Sequence, residues 1–121
     1  MSKTILIVED NEMNMKLFHD LLKLNGHNIL QAKDGIEALE IARDRRPSLI
    51  LMDIQLPGMS GLEITKLMKT DNDLKTIPVV AITALAMAGD EEKILESGCA
   101  EYISKPISAK QFLDTVTKYV G

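Results

Sequence analysis

The sequence has no tryptophan, and its aromatic residues amount to 3%: two tyrosines and two phenylalanines. So few rings, with a carboxylate where a phosphate loop belongs, disfavour a flavin protein. Basic residues are in deficit, 14 Lys and Arg against 18 Asp and Glu, for a net charge of −4. Nucleic acid is thereby disfavoured, because phosphate binding needs a concentrated basic face. The single cysteine, Cys99, has no partner for an internal disulfide, which fits a reducing cytoplasm. No apolar run approaches the ~20 residues of a membrane span, and Met1-Ser2-Lys3-Thr4 leads straight into a strand-like run rather than a signal peptide. Repeats, low-complexity tracts and internal linkers are missing too. At 121 residues, 45% hydrophobic and 26% charged, the chain suits one compact domain, 1–121, with no output domain attached and a cytoplasmic location.

What is present is organised around Ser48 to Gly58, S-L-I-L-M-D-I-Q-L-P-G. Leu49 to Met52 form a continuous apolar run of the kind that crosses a parallel sheet buried on both faces, and Asp53 stands at its carboxyl end. Similar runs occur at Ile5–Val8, Asn28–Gln31, Val79–Thr83 and Ala100–Ser104. Between them lie helical patterns. Met13 to Leu24 carries an apolar side (Met15, Phe18, Leu21, Leu22) and a polar side (Lys16, His19, Asp20, Lys23), and Gly26 stops it. Asp34 with Glu37, Ser60 with Glu63 and Ser108 with Gln111 read as capping boxes that open three more helices. The first has Ala38, Leu39 and Ala42 as its buried stripe, and the last has Phe112, Leu113, Val116 and Val120. A helix from about Asp90 to Glu96 is stopped by Gly98. Strand and helix alternate five times, which predicts an α/β fold, a doubly wound five-stranded parallel sheet with helices on both faces; alternation leaves the strand order open, and the flavodoxin-like order 2-1-3-4-5 is the expectation adopted for it.

In such a sheet all strands end at one edge. The ends carry Glu9-Asp10 (first strand), Asp53 (third), Thr83 (fourth) and Lys105 (fifth). Three carboxylates within reach of one another repel unless a cation intervenes. Hard oxygen ligands with open positions suit Mg²⁺, which shares its site with phosphate. A hydroxyl and an ammonium facing the metal are what the remaining oxygens of a phosphoryl group need. The residues therefore read as a site in which Asp53 is a nucleophile for phosphoryl transfer.

Five motifs in this order resemble the receiver domains of bacterial two-component systems: V-E-D-N at Val8–Asn11, L-M-D-I-Q-L-P at Leu51–Pro57, S-G-L-E at Ser60–Glu63, I-T-A at Ile82–Ala84 and S-K-P at Ser104–Pro106. The resemblance covers essentially the whole chain. It implies that Asp53 is phosphorylated by a sensor histidine kinase or a histidine phosphotransfer protein. It implies that Glu9 and Asp10, with Asp53 and the backbone carbonyl of Gln55, hold Mg²⁺, for which Mn²⁺ can substitute. Thr83 matches the switch hydroxyl, Tyr102 the aromatic that changes rotamer with it, and Lys105 the lysine that pairs with the phosphoryl oxygens. The Lys105-Pro106 bond is expected to be cis. Glu9 departs from the aspartate of many members, which touches metal geometry. Likeness in N-E-M-N-M-K-L-F-H-D-L-L and Y-I-S-K-P-I-S points to single-domain receivers of cell-cycle and polar differentiation control. In that reading the output leaves through the face of the fourth helix, fifth strand and fifth helix, with Leu85, Ala86 and Met87 reporting the change. The chain catalyses only its own phosphotransfer and slow dephosphorylation, its downstream protein target is left open, and membrane-bound kinases recruit it to the cell pole.

Other readings stand beside these. Glu9-Asp10 could cap a helix, Thr83 could be an ordinary strand residue, Lys105 a surface lysine, and Tyr102 a ring packed at the sheet edge. A phosphorelay intermediate uses the same acceptor chemistry. An aspartate-nucleophile phosphatase would want an acid two residues after Asp53, where Gln55 stands, and a cap for which no residues remain. A phosphate-independent adaptor would not need the full acidic set with Thr83 and Lys105. His19 and His27 read as solvated, Cys99 as a small buried hydrophobe, and Asp71–Asp73 as solvated charge.

Overall fold

In the computed structural model, which describes residues 3–84 and 90–120, the apolar runs become five strands. The order along the chain is β1 (Thr4–Val8), α1 (Glu12–Leu24), β2 (Asn28–Ala32), α2 (Gly35–Arg45), β3 (Leu49–Asp53), α3 (Gly61–Thr70), β4 (Val79–Thr83), α4 (Asp90–Glu96), β5 (Glu101–Ser104) and α5 (Ala109–Val120). All pairings are parallel, as the alternation predicts, and the sheet order is β2-β1-β3-β4-β5, the flavodoxin-like order expected.

Side chains alternate across the sheet, so each central strand feeds two cores. Leu6, Val8, Ile50, Met52, Val79 and Ala81 pack with Ala38, Leu39, Ala42, Ile64, Met68 and Ile94, which places α2, α3 and α4 on one face. Ile5, Ile7, Leu49, Leu51, Val80 and Ile82 pack with residues of α1 and α5 on the other. There Phe18 and Phe112 stack with centroids 5.4 Å apart and join the two helices. Two-sided burial is why β1, β3 and β4 read as unbroken apolar runs.

The predicted caps form. The Asp34 side chain accepts from the Glu37 N–H at 2.8 Å, Ser60 from Glu63 at 3.3 Å and Ser108 from Gln111 at 3.3 Å. The Glu37 carboxylate reaches back to the Lys33 N–H, one residue before the cap, at 2.8 Å. Some expectations shift. The first helix starts at Glu12 because Asn11 caps it, its side chain accepting from the Asn14 N–H at 2.9 Å. β2 runs one residue longer and β5 begins one residue later than the sequence predicts. Asp71 and Asp73 are not merely solvated: Asp71 accepts from Arg43 at 3.2 Å, and Asp73 lies 3.6 Å from Arg46. Both arginines stand at the end of α2, which closes where Arg46 turns left-handed at φ 43° ahead of Pro47. Nor is His27 fully solvated, since its Nδ1 is buried without a hydrogen bond. Cys99 is buried, as expected. Among the described residues, no helix is long and apolar enough to cross a membrane.

Phe112 is wholly buried and supplies half of the α1–α5 stack. Phe112→Ala should lower the unfolding free energy by about 3–5 kcal/mol, read from the midpoint of urea denaturation.

Candidate functional site

Register brings the site together. Val8 of β1 lies beside Met52 of β3, so the next residues, Glu9 and Asp53, stand side by side where the strands end. Asp53 pairs with Ile82 and Thr83 with Ser104, so Thr83 and Lys105 follow one step further out. Backbone bonds carry the ladder past the strand ends: Glu9 N–H to Ala32 O (2.9 Å), Ile54 N–H to Ile82 O (3.3 Å) and Lys105 N–H to Thr83 O (2.8 Å).

One carboxylate oxygen from each of Glu9, Asp10 and Asp53 lies within 4.8 Å of the others. Glu9 and Asp53 are buried, at 1% and 4% exposure, whereas Asp10 faces solvent. The two buried groups are held in parallel ways. One oxygen of each accepts a backbone N–H two residues on, Asn11 to Glu9 Oε2 at 3.1 Å and Gln55 to Asp53 Oδ1 at 2.9 Å. The other faces Lys105, whose Nζ lies 3.3 Å from Glu9 Oε1 and 3.4 Å from Asp53 Oδ2. Lys105 precedes a cis Lys105-Pro106 bond, as the resemblance implied.

One ammonium does not balance three carboxylates. Burial, reinforced by a hydrogen bond to Asp53 that favours the protonated form, pushes Glu9 up to about 7 against the pull of Asn11 N–H and Lys105. A hard divalent cation would relieve that excess, and the donors are all oxygen, so the residues fit Mg²⁺ or Mn²⁺. Glu9, Asp10 and Asp53 are the side chains that would hold it. Gln55 lies at the same turn and is exposed, its N–H already committed to Asp53.

Thr83 is fully buried at the end of β4. Tyr102 is half-buried and packs against the core on the α2–α3–α4 face. Ala81 pairs with Tyr102, and alternation puts Thr83 on the same face as Ala81, so Thr83 and Tyr102 share one side of the sheet. Leu85, Ala86 and Met87 lie outside the described residues. Sequence reasoning missed two contributors. Asn11 both caps α1 and orients Glu9, a dual use signalled only by its place after the acidic pair. Beside Lys105 lies a mainly apolar groove of about 390 Å³, lined by Asn14, Leu17, Phe18, Ala84, Pro106 and Ile107. Its members come from three distant segments, which no local pattern links.

Comparison with known proteins agrees with this geometry. The family model for the response regulator receiver domain matches residues 5–117. The polar-differentiation response regulator DivK of Brucella anthropi is 56% identical over 121 residues, covering 100% of this chain and 98% of the relative. DivK of Brucella ovis is 55% identical over the same span and shares. Among solved structures, the receiver domain of a Pseudomonas aeruginosa sensor histidine kinase, with a magnesium ion coordinated in its active-site cleft, superposes with a TM-score of 0.92. It is 30% identical, and the match covers 100% of this chain and 99% of that one. The Mn²⁺-bound form of response regulator Rcp1 matches at a TM-score of 0.82 and 30% identity, over 96% and 90% of the two chains.

The raised Glu9 makes a pH prediction. The folded protein keeps a proton that the unfolded chain releases near 4.5, so this contribution to stability is complete below 4.5 and lost as pH rises through about 7. Without divalent cations, wild type should lose stability relative to Glu9→Gln across pH 4.5–7, by on the order of 3 kcal/mol. Parallel thermal melts of the two proteins at stepped pH measure the difference.

Proposed function

The chain belongs to the response regulator receiver domain family, and on that premise we propose how its site works. It is a phosphoacceptor response regulator, and Asp53 is the acceptor. The observation that carries this is the buried Asp53 carboxylate at the end of β3, with one oxygen on a backbone N–H and the other 3.4 Å from Lys105, inside an acidic cluster. A Mg²⁺ ion bound there supplies charge neutralisation for the incoming phosphoryl group and its oxygens.

The chain's own residues do the rest. An oxygen of Asp53 attacks phosphorus; the new P–O bond forms as the donor's P–N bond breaks, and the donor imidazole leaves. Hydrolysis of the acyl phosphate later returns the carboxylate and free phosphate. The Gln55 N–H keeps Asp53 aimed along the edge, and the Gln55 carbonyl would serve as a further oxygen ligand to the cation. Lys105 exchanges its contacts with Glu9 and Asp53 for the phosphoryl oxygens. The phosphoryl group carries about two negative charges where the carboxylate carried one, which draws the Thr83 hydroxyl inward, and Tyr102 on the same face of the sheet repacks with it. That bias spreads to α4, β5 and α5, which pass the signal to a protein partner.

The phosphoryl donor is a histidine kinase or a phosphotransfer protein, and it docks over the groove beside Lys105, where Leu17 and Ile107 offer apolar contacts. The likeness to DivK, a polar-differentiation response regulator, supports a role in cell-cycle and polar-differentiation signalling; in this proposal membrane-bound kinases recruit the chain to the cell pole. The chain turns over no substrate beyond its own phosphotransfer and slow dephosphorylation.

Intact mass spectrometry after incubation with acetyl phosphate tests this. Wild type should gain one phosphoryl group only with Mg²⁺ present, and Asp53→Asn should gain none. A folded, Mg²⁺-binding wild type that forms no adduct would sink the reading. Lys105→Ala should bind Mg²⁺ yet accept phosphoryl on the order of a hundredfold more slowly, the scale of losing one charged transition-state contact.

A further inference from the structure

We infer that Gly61, which bears no functional group, is a positioning residue for the metal site, because the absence of a side chain there seats α3 directly on the backbone of Asp53. This rests on the reading of the Gln55 carbonyl as a metal ligand and adds to it the element that fixes that ligand.

Gly61 is the first residue of α3 and is buried. A Cβ built on it would lie 2.2 Å from the Asp53 carbonyl oxygen, 2.9 Å from Ile54 Cα and 2.9 Å from Met52 Cγ. Two of these three atoms are backbone, so the conflict cannot be relieved by a rotamer change alone. The glycine is therefore in use as a contact surface.

The same residue closes the loop that carries Gln55. The Ile54 carbonyl accepts both the Leu56 N–H, at 3.2 Å, and the Gly61 N–H, at 2.9 Å. One step further along α3, the Thr65 hydroxyl donates to the Gly61 carbonyl at 2.8 Å. Gln55 thus sits between two anchors: Asp53, whose Oδ1 takes its N–H, and Ile54, whose carbonyl is tied to the start of α3. A side chain at 61 must lift the first turn of α3 from Asp53 and drag residues 54–60 with it. Both the Gln55 carbonyl and the N–H that aims Asp53 then move.

Gly35 provides the contrast. A Cβ at Gly35 would meet Ile64 Cδ1 and Cγ1 at 2.3 Å, again against α3, but these atoms are the outer part of a side chain and none belongs to the Asp53 or Ile54 backbone. Crowding at 35 should be taken up by the Ile64 side chain and the packing of α2 on α3, with no direct push on the backbone of Asp53 or Ile54.

The test is the Mg²⁺ affinity of wild type, Gly61→Ala and Gly35→Ala, measured by calorimetric titration and by Mg²⁺-induced shifts of the Gln55 and Asn11 amide resonances. Gly61→Ala should stay folded by circular dichroism and bind Mg²⁺ on the order of tenfold or more weakly, the scale of losing support behind a ligand. Gly35→Ala should lose thermal stability yet bind Mg²⁺ as wild type does. A folded Gly61→Ala with wild-type affinity would overturn the inference, as would an equal loss in Gly35→Ala. If Gly61→Ala does not fold, Met52→Ala/Gly61→Ala removes the side-chain part of the clash and leaves the carbonyl contact. Weak Mg²⁺ binding by that folded double variant, against normal binding by Met52→Ala, supports the role; failure of both to fold overturns it by making Gly61 a requirement of the fold. Should wild type itself bind no Mg²⁺, the metal reading fails along with the inference.

Discussion

The constraint on which the structure turns is the crowding of Glu9, Asp10 and Asp53 at one edge of the sheet. Two of these carboxylates are buried, and one lysine lies between them. Left to themselves such groups would separate or take up protons, and Glu9 is displaced in that direction. They stay together because parallel register fixes where β1 and β3 end, and that register is set by apolar residues in the middle of the strands. The hydrophobic core therefore holds an electrostatically unfavourable cluster in place, and that cluster becomes favourable once a cation and a phosphoryl group share it.

The hydrogen bonds around the cluster are economical. Glu9 and Asp53 each use one oxygen on a backbone N–H two residues ahead, which orients the group without adding charge. Each leaves the second oxygen to Lys105. Such a lysine is bound loosely enough, at 3.3 and 3.4 Å, to be recruited by a better partner. Stronger neutralisation of Asp53 in the resting state would weaken it as a nucleophile, so the distances suit the proposed role, in which Asp53 attacks and Lys105 then changes partners.

Much of this was legible in the sequence because the signals were periodic or terminal. Apolar runs ending in Asp53, Thr83 and Lys105 gave strand ends, and parallel topology then put those ends on one edge. Asp34, Ser60 and Ser108 announced their helices through fixed spacing to Glu37, Glu63 and Gln111. What the sequence hid was contact between segments far apart in the chain. The Arg43–Asp71 and Arg46–Asp73 pairs join the end of α2 to the loop after α3, and neither spacing is a local one. His27 was misread because a turn position implies exposure, while its ring nitrogen is enclosed by tertiary packing. Asn11 was overlooked for another reason: its side chain serves α1 and its backbone serves Glu9, and a residue-type pattern reports only the first.

The two edges of the sheet divide the labour of stability and function. At the edge away from the acidic cluster, the loop after α3 is pinned by Lys69, whose ammonium donates to the Lys75 and Ile77 carbonyls at 3.3 and 2.8 Å. Burial pushes that lysine below its usual range. Thr65, Ser97 and Cys99 form a buried polar contact between α3 and the segment leading into β5. These contacts carry little net charge and resemble the satisfied polar groups of any stable core. The opposite edge carries three carboxylates, one ammonium and a fully buried threonine. Strain of this kind persists only where the surrounding structure over-determines it. A fold that anchors its helices at one edge can therefore keep the other poised between two charge states. That is the property a phosphorylation switch requires, and it follows from where the strands end as much as from which residues end them.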